Sequence, residues 1–324
     1  MVLGWRRGRC FWLALASYDT AVARCPPVTP AQEDQTFVLP FRLNLRRFAH
    51  ARAAVFAFAV ACPDGGHAQT QAKLEARYTA SLAGIPVGRG AWVLDIRDDQ
   101  YSAAASGATT GLLRVFASGQ GRSMAQGNVA QGEPIPRRYG ATIIADKKTD
   151  EVEMSIEGGT VKDYKVNPPP TPHPERVPVT EAHRHAVTDP MTASLVRVSG
   201  NGDPLKPEAC QRSAPIFDGR MRYDLKMAFK RMETVKAEKG YQGPVVVCSI
   251  YFSPLAGYIP SRKVIQYLTD LRDMEVWLAP IAGTRVLVPF RISIPTPLGL
   301  GVLEATQFVS TVTPRPTPTS AKIQ

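Results

Sequence analysis

Residues 73–82 read KLEARYTASL, and in this stretch every even-numbered residue is apolar or small while every odd-numbered residue is polar. Successive side chains of a β-strand point to opposite faces, so the alternation predicts a strand with one buried and one wet face. The pattern recurs in EVEMSIE at 151–157 and in RMRYDLKM at 220–227, where it continues to Phe229. Strands of this kind are typical of antiparallel sheets.

Further strands are predicted where apolar and β-branched residues cluster between turn-forming residues. Gly, Pro, Asp or Asn stands at most of the joins, as hairpins require. The run VVVC at 245–248 does not alternate, which predicts a segment covered on both faces. The additional predicted strands are 87–97, 100–110, 122–131, 137–147, 160–165, 244–253, 274–281, 284–294 and 300–310.

Helical signals are few. Asp189 precedes Pro190, the combination of an N-cap and a first-turn proline, and TASLV follows shortly after. Ser261 is the predicted cap of a second helix over 262–272, and a third is considered at 180–187. About a dozen strands with two or three short helices predict an all-β fold. A long antiparallel sheet of this size must curl or close to protect its edges, so we expect a partly open barrel or β-spiral.

The domain organisation follows from proline and from burial. A Pro-rich connector at 167–178 separates two sets of strands, but each set on its own would expose an apolar face. Residues 69–312 are therefore predicted to form a single β-rich domain. The Pro/Thr-rich tail at 313–324 is predicted to be disordered.

Composition excludes several classes of protein. The 324 residues are 44% hydrophobic and 21% charged, which is inconsistent with broad disorder. No apolar run reaches the roughly 18 residues of a membrane-spanning helix, so no stable transmembrane anchor is expected. The Pro-rich connector and internal helices also disfavour an outer-membrane barrel. The net charge of +11 is spread over wet strand positions such as Arg77, Arg97, Lys226 and Lys230. We therefore expect no nucleic-acid partner, while attraction to anionic lipid or envelope polymer stays open.

Residues 1–68 read as a leader that carries a secretory signal at about 42–68. Arg42, Arg46, Arg47 and Arg52 precede an apolar stretch of about ten residues, 53–62. Gly66 and Ala68 then supply the small residues of a cleavage site before Gln69, so we expect export to the periplasm.

Two features of the leader leave alternatives open. No Met lies between Met1 and Met124, so residues 1–37 are either an unusually long extension or an artefact of the assigned start. Cys62 ends a segment that partly resembles a lipoprotein cleavage box, although Ala59 stands where Leu is usual. Lipid anchoring at Cys62 is the less favoured alternative to a free periplasmic protein.

Cysteine usage agrees with export. Three of the five Cys lie in the leader, which leaves Cys210 and Cys248. Two lone cysteines in an oxidising compartment usually pair, and closing this loop would contribute roughly 4 kcal/mol of stability. The alternative is two buried free thiols.

No motif predicts catalysis, a metal site or a cofactor site. His183 and His185, with His173, lack the spacing of a metal motif and read as part of a solvated segment. The sequence contains no Gly-x-Ser-x-Gly, and its Gly-x-Gly turns lack the strand–loop–helix context of a phosphate site. We therefore expect a non-enzymatic protein, with an uncharacterised hydrolase as a lesser alternative.

Apolar strand faces are the candidate for ligand binding. If the curled sheet is filled, these side chains are core; if it is open, they line a hydrophobic cavity for an acyl chain. Both interpretations remain open from sequence. The candidate lining residues are Leu74, Tyr78, Leu82, Trp92, Leu94, Ile96, Tyr223, Leu225, Phe229 and Trp277.

Four motifs in the C-terminal half carry a resemblance to a known family. They are DPMTASL at 189–195, FDGRxRYDL at 217–225, MEVWLA at 274–279, and VP at 288–289 followed by TPLG at 296–299. Over about 72–310 the chain resembles the bacterial exported family known as domain of unknown function 3108. The resemblance implies a β-rich fold and export, and it implies no activity. The arrangement is also similar to lipoprotein carriers and envelope-integrity β-spiral proteins, a likeness of fold that does not establish function.

The sequence thus predicts an exported, non-enzymatic cell-envelope protein that binds a lipid or another hydrophobic envelope component inside a curled sheet. The alternative is an envelope scaffold or interaction protein with a solid core and no ligand.

Overall fold

The computed structural model describes residues 70–110, 119–146 and 148–314. The first seven strands are β1 (Thr70–Leu82), β2 (Ile85–Ile96), β3 (Gln100–Thr109), β4 (Gly119–Ala130), β5 (Glu133–Ala145), β6 (Lys148–Glu157) and β7 (Thr160–Asn167). The later strands are β8 (Val196–Arg197), β9 (Arg212–Phe217), β10 (Arg222–Lys236), β11 (Lys239–Gly240), β12 (Gln242–Ala256), β13 (Met274–Pro280), β14 (Val286–Thr296) and β15 (Gly299–Pro314). Two α-helices, α1 (Pro190–Ala193) and α2 (Lys263–Asp270), and 3₁₀ turns at Glu181–Arg184 and Pro207–Cys210 complete the described elements.

The strands form one sheet built from two meanders. Its order is β7-β6-β5-β4-β3-β2-β1-β15-β14-β13-β12-β10-β9, so the first strand pairs with the last in the middle of the sheet. The pairs along this path are antiparallel, and the short β11 adds a parallel pair with β15. The predicted all-β class with a long antiparallel sheet is confirmed.

The sheet curls until its two edge strands come close without pairing. Val187 donates its backbone N–H to Gly159 at the β6–β7 turn, and the next residue, Thr188, forms a bridge with Ile216 on β9. The rings of Tyr164 on β7 and Phe217 on β9 lie 5.5 Å apart, edge to face. One short segment therefore fills the gap between the edges, which is the partly open barrel that the sequence predicts.

Tight turns fix the register of the first meander. Three of its hairpins are closed by two residues that both have positive φ, as in type I′ turns. These pairs are Ala83–Gly84, Gln131–Gly132 and Gly158–Gly159. Such turns match the right-handed twist of the strands they join, so the sequence folds locally into adjacent antiparallel pairs.

The main core lies between the inward faces of the two meanders. Leu74 and Leu94 from the first meander pack in one cluster with Val288, Phe290 and Phe308 from the second. Each of these five residues is at most 1% exposed. The inward positions are therefore filled by side chains from the opposite half of the chain.

Strand β12 is buried on both faces. Val245 and Val247 belong to the main core, whereas Val246 and Cys248 belong to a second cluster beneath residues 196–210. All four side chains have no exposed surface. The prediction that this run is covered on both sides is confirmed.

The helical predictions are confirmed in part. Asp189 caps α1 and accepts hydrogen bonds from the N–H groups of Met191 and Thr192 at 2.9 and 2.8 Å. The segment considered at 180–187 forms a 3₁₀ turn over Glu181–Arg184. Ser261 is not the cap of α2, because Arg262 donates its N–H back to Ile259 and is itself the N-cap residue. The helix therefore begins one residue later than predicted and ends at Asp270.

The connector and the chain ends qualify the predicted boundaries. The Pro-rich connector docks on the rest of the domain, since Val177 exchanges backbone hydrogen bonds with Gly257 and Tyr258. Strand β15 continues to Pro314, where Thr313 pairs with Gln71, so the disorder predicted from Thr313 onward is wrong for its first two residues. Ladder pairing with β1 decides this boundary, despite the proline. The predicted secretory signal, Cys62 and residues 315–324 lie outside the described residues.

Candidate functional site

Six of the ten predicted lining residues meet in the main core. Leu74 and Leu94 are fully buried, and the other four are at most 8% exposed. Tyr78 also donates its hydroxyl hydrogen to the backbone oxygen of Pro289 at 2.8 Å. The six residues are Leu74, Tyr78, Trp92, Leu94, Ile96 and Trp277. They contact one another and the second meander, so at these positions the sheet is filled.

The other four predicted lining residues lie elsewhere. Tyr223 and Leu225 belong to a separate cluster that packs against α2. Phe229 stands opposite Cys248 on β12 and is 40% exposed, and a bulge follows it on β10. Leu82 is half-buried beside the turn of the β1–β2 hairpin. These four residues therefore lie outside the main core that the other six share. That any of the ten contacts a ligand stays a prediction.

The predicted disulfide is present. Cys210 and Cys248 are bonded, their Cα atoms are 5.5 Å apart, and both residues are fully buried. Cys210 ends the 3₁₀ turn that precedes β9, and Cys248 lies in the middle of β12. The bond fastens the covering segment 196–210 to the outer face of the second meander.

The three histidines serve local contacts. His183 Nδ1 accepts the Thr180 N–H at 3.1 Å, and His173 Nδ1 accepts the Glu175 N–H at 3.2 Å. His185 Nδ1 lies 3.2 Å from the Thr160 hydroxyl. Among the described residues, no group of three or more His, Cys, Asp or Glu side chains is arranged to hold a metal ion.

A groove crosses the solvent-facing side of the first meander. Its volume is about 1110 Å³, and it is bordered by Arg77, Arg89, Arg122 and Lys239, with Glu238 as its acidic residue. The three arginines occupy strand positions that alternate with buried or half-buried positions. Lys239 and Glu238 come from the tip of the β10–β12 hairpin, where β11 pairs with β15. We call this feature the basic groove.

The strand register places Arg77 and Arg122 on either side of a floor of small side chains in the basic groove. Arg77 on β1 pairs with Ala91 on β2, Ala91 with Ser106 on β3, and Ser106 with Arg122 on β4. The two arginines thus stand at opposite ends of one row, with small side chains between them. Ala108, Gly90 and Gly107 also line the groove, and polar side chains line its rim: Thr79, Gln120, Thr142, Thr306 and Gln307.

The four cations of the basic groove are not neutralised by close partners. In the part of the chain that the structure describes, the side chains of Arg77, Arg89, Arg122 and Lys239 form no hydrogen bond or ion pair. Glu75 is paired with Lys73 at 2.5 Å. Its pKa is lowered mainly by that lysine and to a lesser extent by Lys239 and Arg77. The groove therefore presents positive charge to solvent.

A second, smaller groove lies on the same face. It has a volume of about 380 Å³ and includes Arg97, Arg137 and Arg138. Residues that pair across neighbouring strands form rows on this face, and the second groove lies on the row that runs from Asp95 to Arg138. One row, which contains the exposed Met124, separates it from the row of Arg122. The outward face of β1–β5 therefore carries arginines toward both ends of its strands.

The charged side chains of a cluster on the second meander are mostly paired with one another instead. Trp277 donates its Nε1 hydrogen to Glu233 at 2.6 Å, and its ring lies 4.6 Å from Arg291 and 5.5 Å from Arg231. Arg231 also binds Glu275 through two hydrogen bonds of 3.0 and 3.2 Å, and this contact is the main reason that the pKa of Glu275 is lowered. The cluster encloses the indole, although the buried Nε of Arg291 has no hydrogen-bond partner among the described residues.

The fully buried Asp189 and the half-buried Asp218 also have structural partners. Asp218 accepts the N–H groups of Arg220 and Met221 at 2.8 and 2.7 Å, much as Asp189 caps α1. Burial raises the pKa of both carboxyls, although these hydrogen bonds oppose the effect. Tyr101 meets the Thr192 hydroxyl at 2.6 Å beside Asp189. These carboxylates therefore hold the backbone of the two motifs in which they occur.

Comparison with known proteins places this structure in context. A crystal structure titled as a beta-barrel-like protein of domain of unknown function DUF1849 from Brucella abortus is 9% identical in sequence. It matches 75% of this chain and 98% of its own, with a TM-score of 0.43. Among curated proteins, a sequence search finds no match.

The family model described as protein of unknown function (DUF3108) matches residues 77–306. This range begins in β1 and ends in β15, and it contains the buried motifs of Asp189 and Asp218, the tryptophan strand β13 and both cysteines of the disulfide. The chain is a member of the DUF3108 family.

Proposed function

We propose that this protein is an exported, non-enzymatic protein of the cell envelope that binds an envelope component on its surface. The observation that carries the proposal is the contrast between the two sides of the first meander. The inward side is filled by Leu74, Leu94, Phe290 and Phe308, whereas the outward side has a groove of about 1110 Å³. The proposal favours a solid scaffold over a lipid carrier.

The disulfide supports export. Bonds of this kind persist in oxidising compartments and are rare in the cytosol. Cys210 and Cys248 are bonded and completely buried, as expected for a structural bond rather than a reactive one. The periplasm is the proposed location, and lipid anchoring at Cys62 is the competing one.

The hydrogen bonds that Asp189 and Asp218 accept support a non-enzymatic role. General acid–base catalysis needs a carboxyl within reach of a substrate. Asp189 and Asp218 instead accept two backbone N–H groups each. Both oxygens of Asp189 and the Oδ1 of Asp218 are already used to hold α1 and the β9–β10 turn.

Fractionation of a bacterial host with an outer membrane tests the location. The protein is expected in the periplasmic fraction, beginning near Gln69, with both thiols resistant to alkylation until reductant is added under denaturing conditions. Cytoplasmic full-length protein with two free thiols would contradict export. A detergent-soluble form that begins at a lipid-modified Cys62 would replace the free periplasmic form.

Native mass spectrometry of the purified protein tests the solid interior. We expect the mass of the polypeptide without a bound amphiphile, and no binding of a fluorescent fatty acid. A lipid that co-purifies with the protein, but is lost from the variant L94F, would show that the interior opens. That result would restore the proposal of a hydrophobic carrier.

A further inference from the structure

We infer that the basic groove binds an acidic polysaccharide, a hydrophilic chain that carries carboxylate groups at intervals. The inference rests on the proposed surface-binding role and names its partner by chemistry. Four cationic side chains face one acidic side chain in this groove, and the cations lack close partners among the described residues. An anionic ligand would supply the missing charge-assisted hydrogen bonds, for which arginine is well suited.

The spacing of the arginines favours a chain over a small anion. Arg77 and Arg122 lie on the same row but three strands apart, on β1 and β4. Neighbouring strands are about 4.8 Å apart, so their Cα atoms are separated by roughly 14 Å. Arg89 stands one strand from Arg77, opposite Thr79 on the next outward row. One small anion cannot reach both ends of this row, whereas a polymer with repeated carboxylates can.

The floor and the rim favour a sugar chain over an acyl chain. Between the arginines lie Ala91, Ser106 and Ala108, which leave room for a chain to approach the sheet closely. The rim carries hydroxyl and amide side chains that can exchange hydrogen bonds with sugar hydroxyls. Ile144 is the one large aliphatic side chain among the described residues of the lining. A lipid tail would therefore find few large aliphatic side chains to contact.

The shape of the groove disfavours a flat membrane surface as the partner. The lining spans β1 to β5 and is closed on one side by Glu238 and Lys239 of the hairpin tip. An extended chain can lie along the floor beside this tip, but lipid headgroups in a plane contact mainly the rim. Anionic vesicles are thus the appropriate competing arm of the test.

Polygalacturonate is the probe, and the purified protein with its disulfide intact is titrated with it at several salt concentrations. Neutral dextran and vesicles that contain phosphatidylglycerol are run in parallel. We expect polygalacturonate to bind with an affinity that falls as salt rises, and dextran not to bind. Vesicle binding that exceeds polygalacturonate binding would overturn the inference in favour of a membrane surface.

Matched variants separate the basic groove from overall charge. The triple change R77Q/R89Q/R122Q is expected to weaken polygalacturonate binding at least tenfold. The control K162Q/K165Q/K226Q removes the same charge from exposed positions on β7 and β10 and should alter binding less than twofold. Equal losses in the two variants would show non-specific attraction and overturn the inference.

A third variant and a folding check keep the result interpretable. R77K/R89K/R122K retains the charge and should recover most of the affinity that the glutamine variant loses. Circular dichroism and the intact disulfide establish that each variant is folded. If the protein is exported but polygalacturonate does not bind, the inference about the groove fails while the proposed location stands. If the protein is cytoplasmic, the proposed function fails whatever the titration shows.

Discussion

Trp92 and Trp277 are both buried in the main core, but they differ in whether the indole N–H has a hydrogen-bond partner. The indole nitrogen of Trp277 donates to Glu233 at 2.6 Å. That of Trp92 is buried and has no hydrogen-bond partner among the residues that the structure describes. A buried donor without a partner destabilises a fold, whereas a hydrogen bond to a charged acceptor contributes about 1.5–3 kcal/mol.

Replacing each tryptophan by phenylalanine isolates that difference, because the two changes remove the same volume. We expect W277F to lower the free energy of unfolding by about 1–2 kcal/mol more than W92F. Urea denaturation followed by far-ultraviolet circular dichroism measures both without relying on tryptophan fluorescence. Equal losses would mean that the bond between Trp277 and Glu233 contributes nothing net.

For single residues, the sequence predicts contacts best where a residue type has few possible roles, as cysteine and an aspartate before proline do. Two lone cysteines and the Asp189–Pro190 pair predict the disulfide and the cap of α1 correctly. Phe229 is misplaced because alternation does not say which face of a strand is the inward one, and Phe229 stands opposite Cys248, which belongs to the cluster on the outer face. The cations of the basic groove could not be found as a group. Arg77 occupies a predicted outward position, and Arg89 and Arg122 lie in predicted strands, but only the register makes them neighbours.

The tip of the β10–β12 hairpin is the element that closes the basic groove. Gly240, in β11, has a φ of +102°, and a Cβ atom added there would lie 2.1 Å from the backbone oxygen of Phe308. This close approach allows β11 to pair with β15 and places Lys239 opposite Gln307. Only glycine combines this backbone conformation with such proximity.

Alanine at position 240 should therefore dislodge the tip. Gly84 is a matched control, because its φ is +82° and a Cβ atom there would have nothing within 4 Å. We expect G84A to cost about 1 kcal/mol from backbone strain and G240A at least about 2 kcal/mol more, since the backbone of β15 must also move. Thermal unfolding of the two variants, compared at the melting temperature of the unmodified protein, gives the values. Similar losses would show that the tip is not held at Gly240.

Strand positions and strand pairing differ in how well the sequence predicts them. Alternation locates the strands of the first meander to within a few residues, and VVVC reveals the doubly covered β12. The pairing of β1 with β15 is absent from the prediction, because it joins opposite ends of the domain and no local turn specifies it. The basic groove depends on that pairing, since Thr306 and Gln307 come from β15.

The second meander as a whole depends on the segment 196–210, which covers its outer face. Val196, Val198 and Ala209 of this segment pack on Val246 and Leu278. Between β8 and β9 the segment contains one short 3₁₀ turn and little regular pairing. The disulfide therefore supplies its main covalent constraint.

Removing the bond by C210A/C248A should lower the free energy of unfolding by about 4 kcal/mol, because the cysteines are 38 residues apart and the unfolded chain regains that freedom. Guanidinium titrations of the oxidised protein, the reduced protein and the double variant provide the comparison. The last two should unfold at similar concentrations, well below the first. Coincident curves for all three would show that side-chain packing holds the segment without the bond.

Pairing the first strand with the last also governs the order of events during folding. Thr70 lies opposite Pro314 and Leu74 opposite Ser310, so the middle of the sheet joins residues that are far apart along the chain. Contacts of such high contact order form slowly, because the entropy of closing a long loop must be lost first. Until β15 has been synthesised, the edge of β1 has no partner and the inward faces of the first meander stay wet. We therefore expect the nascent chain to complete its core only after its last strand has been synthesised.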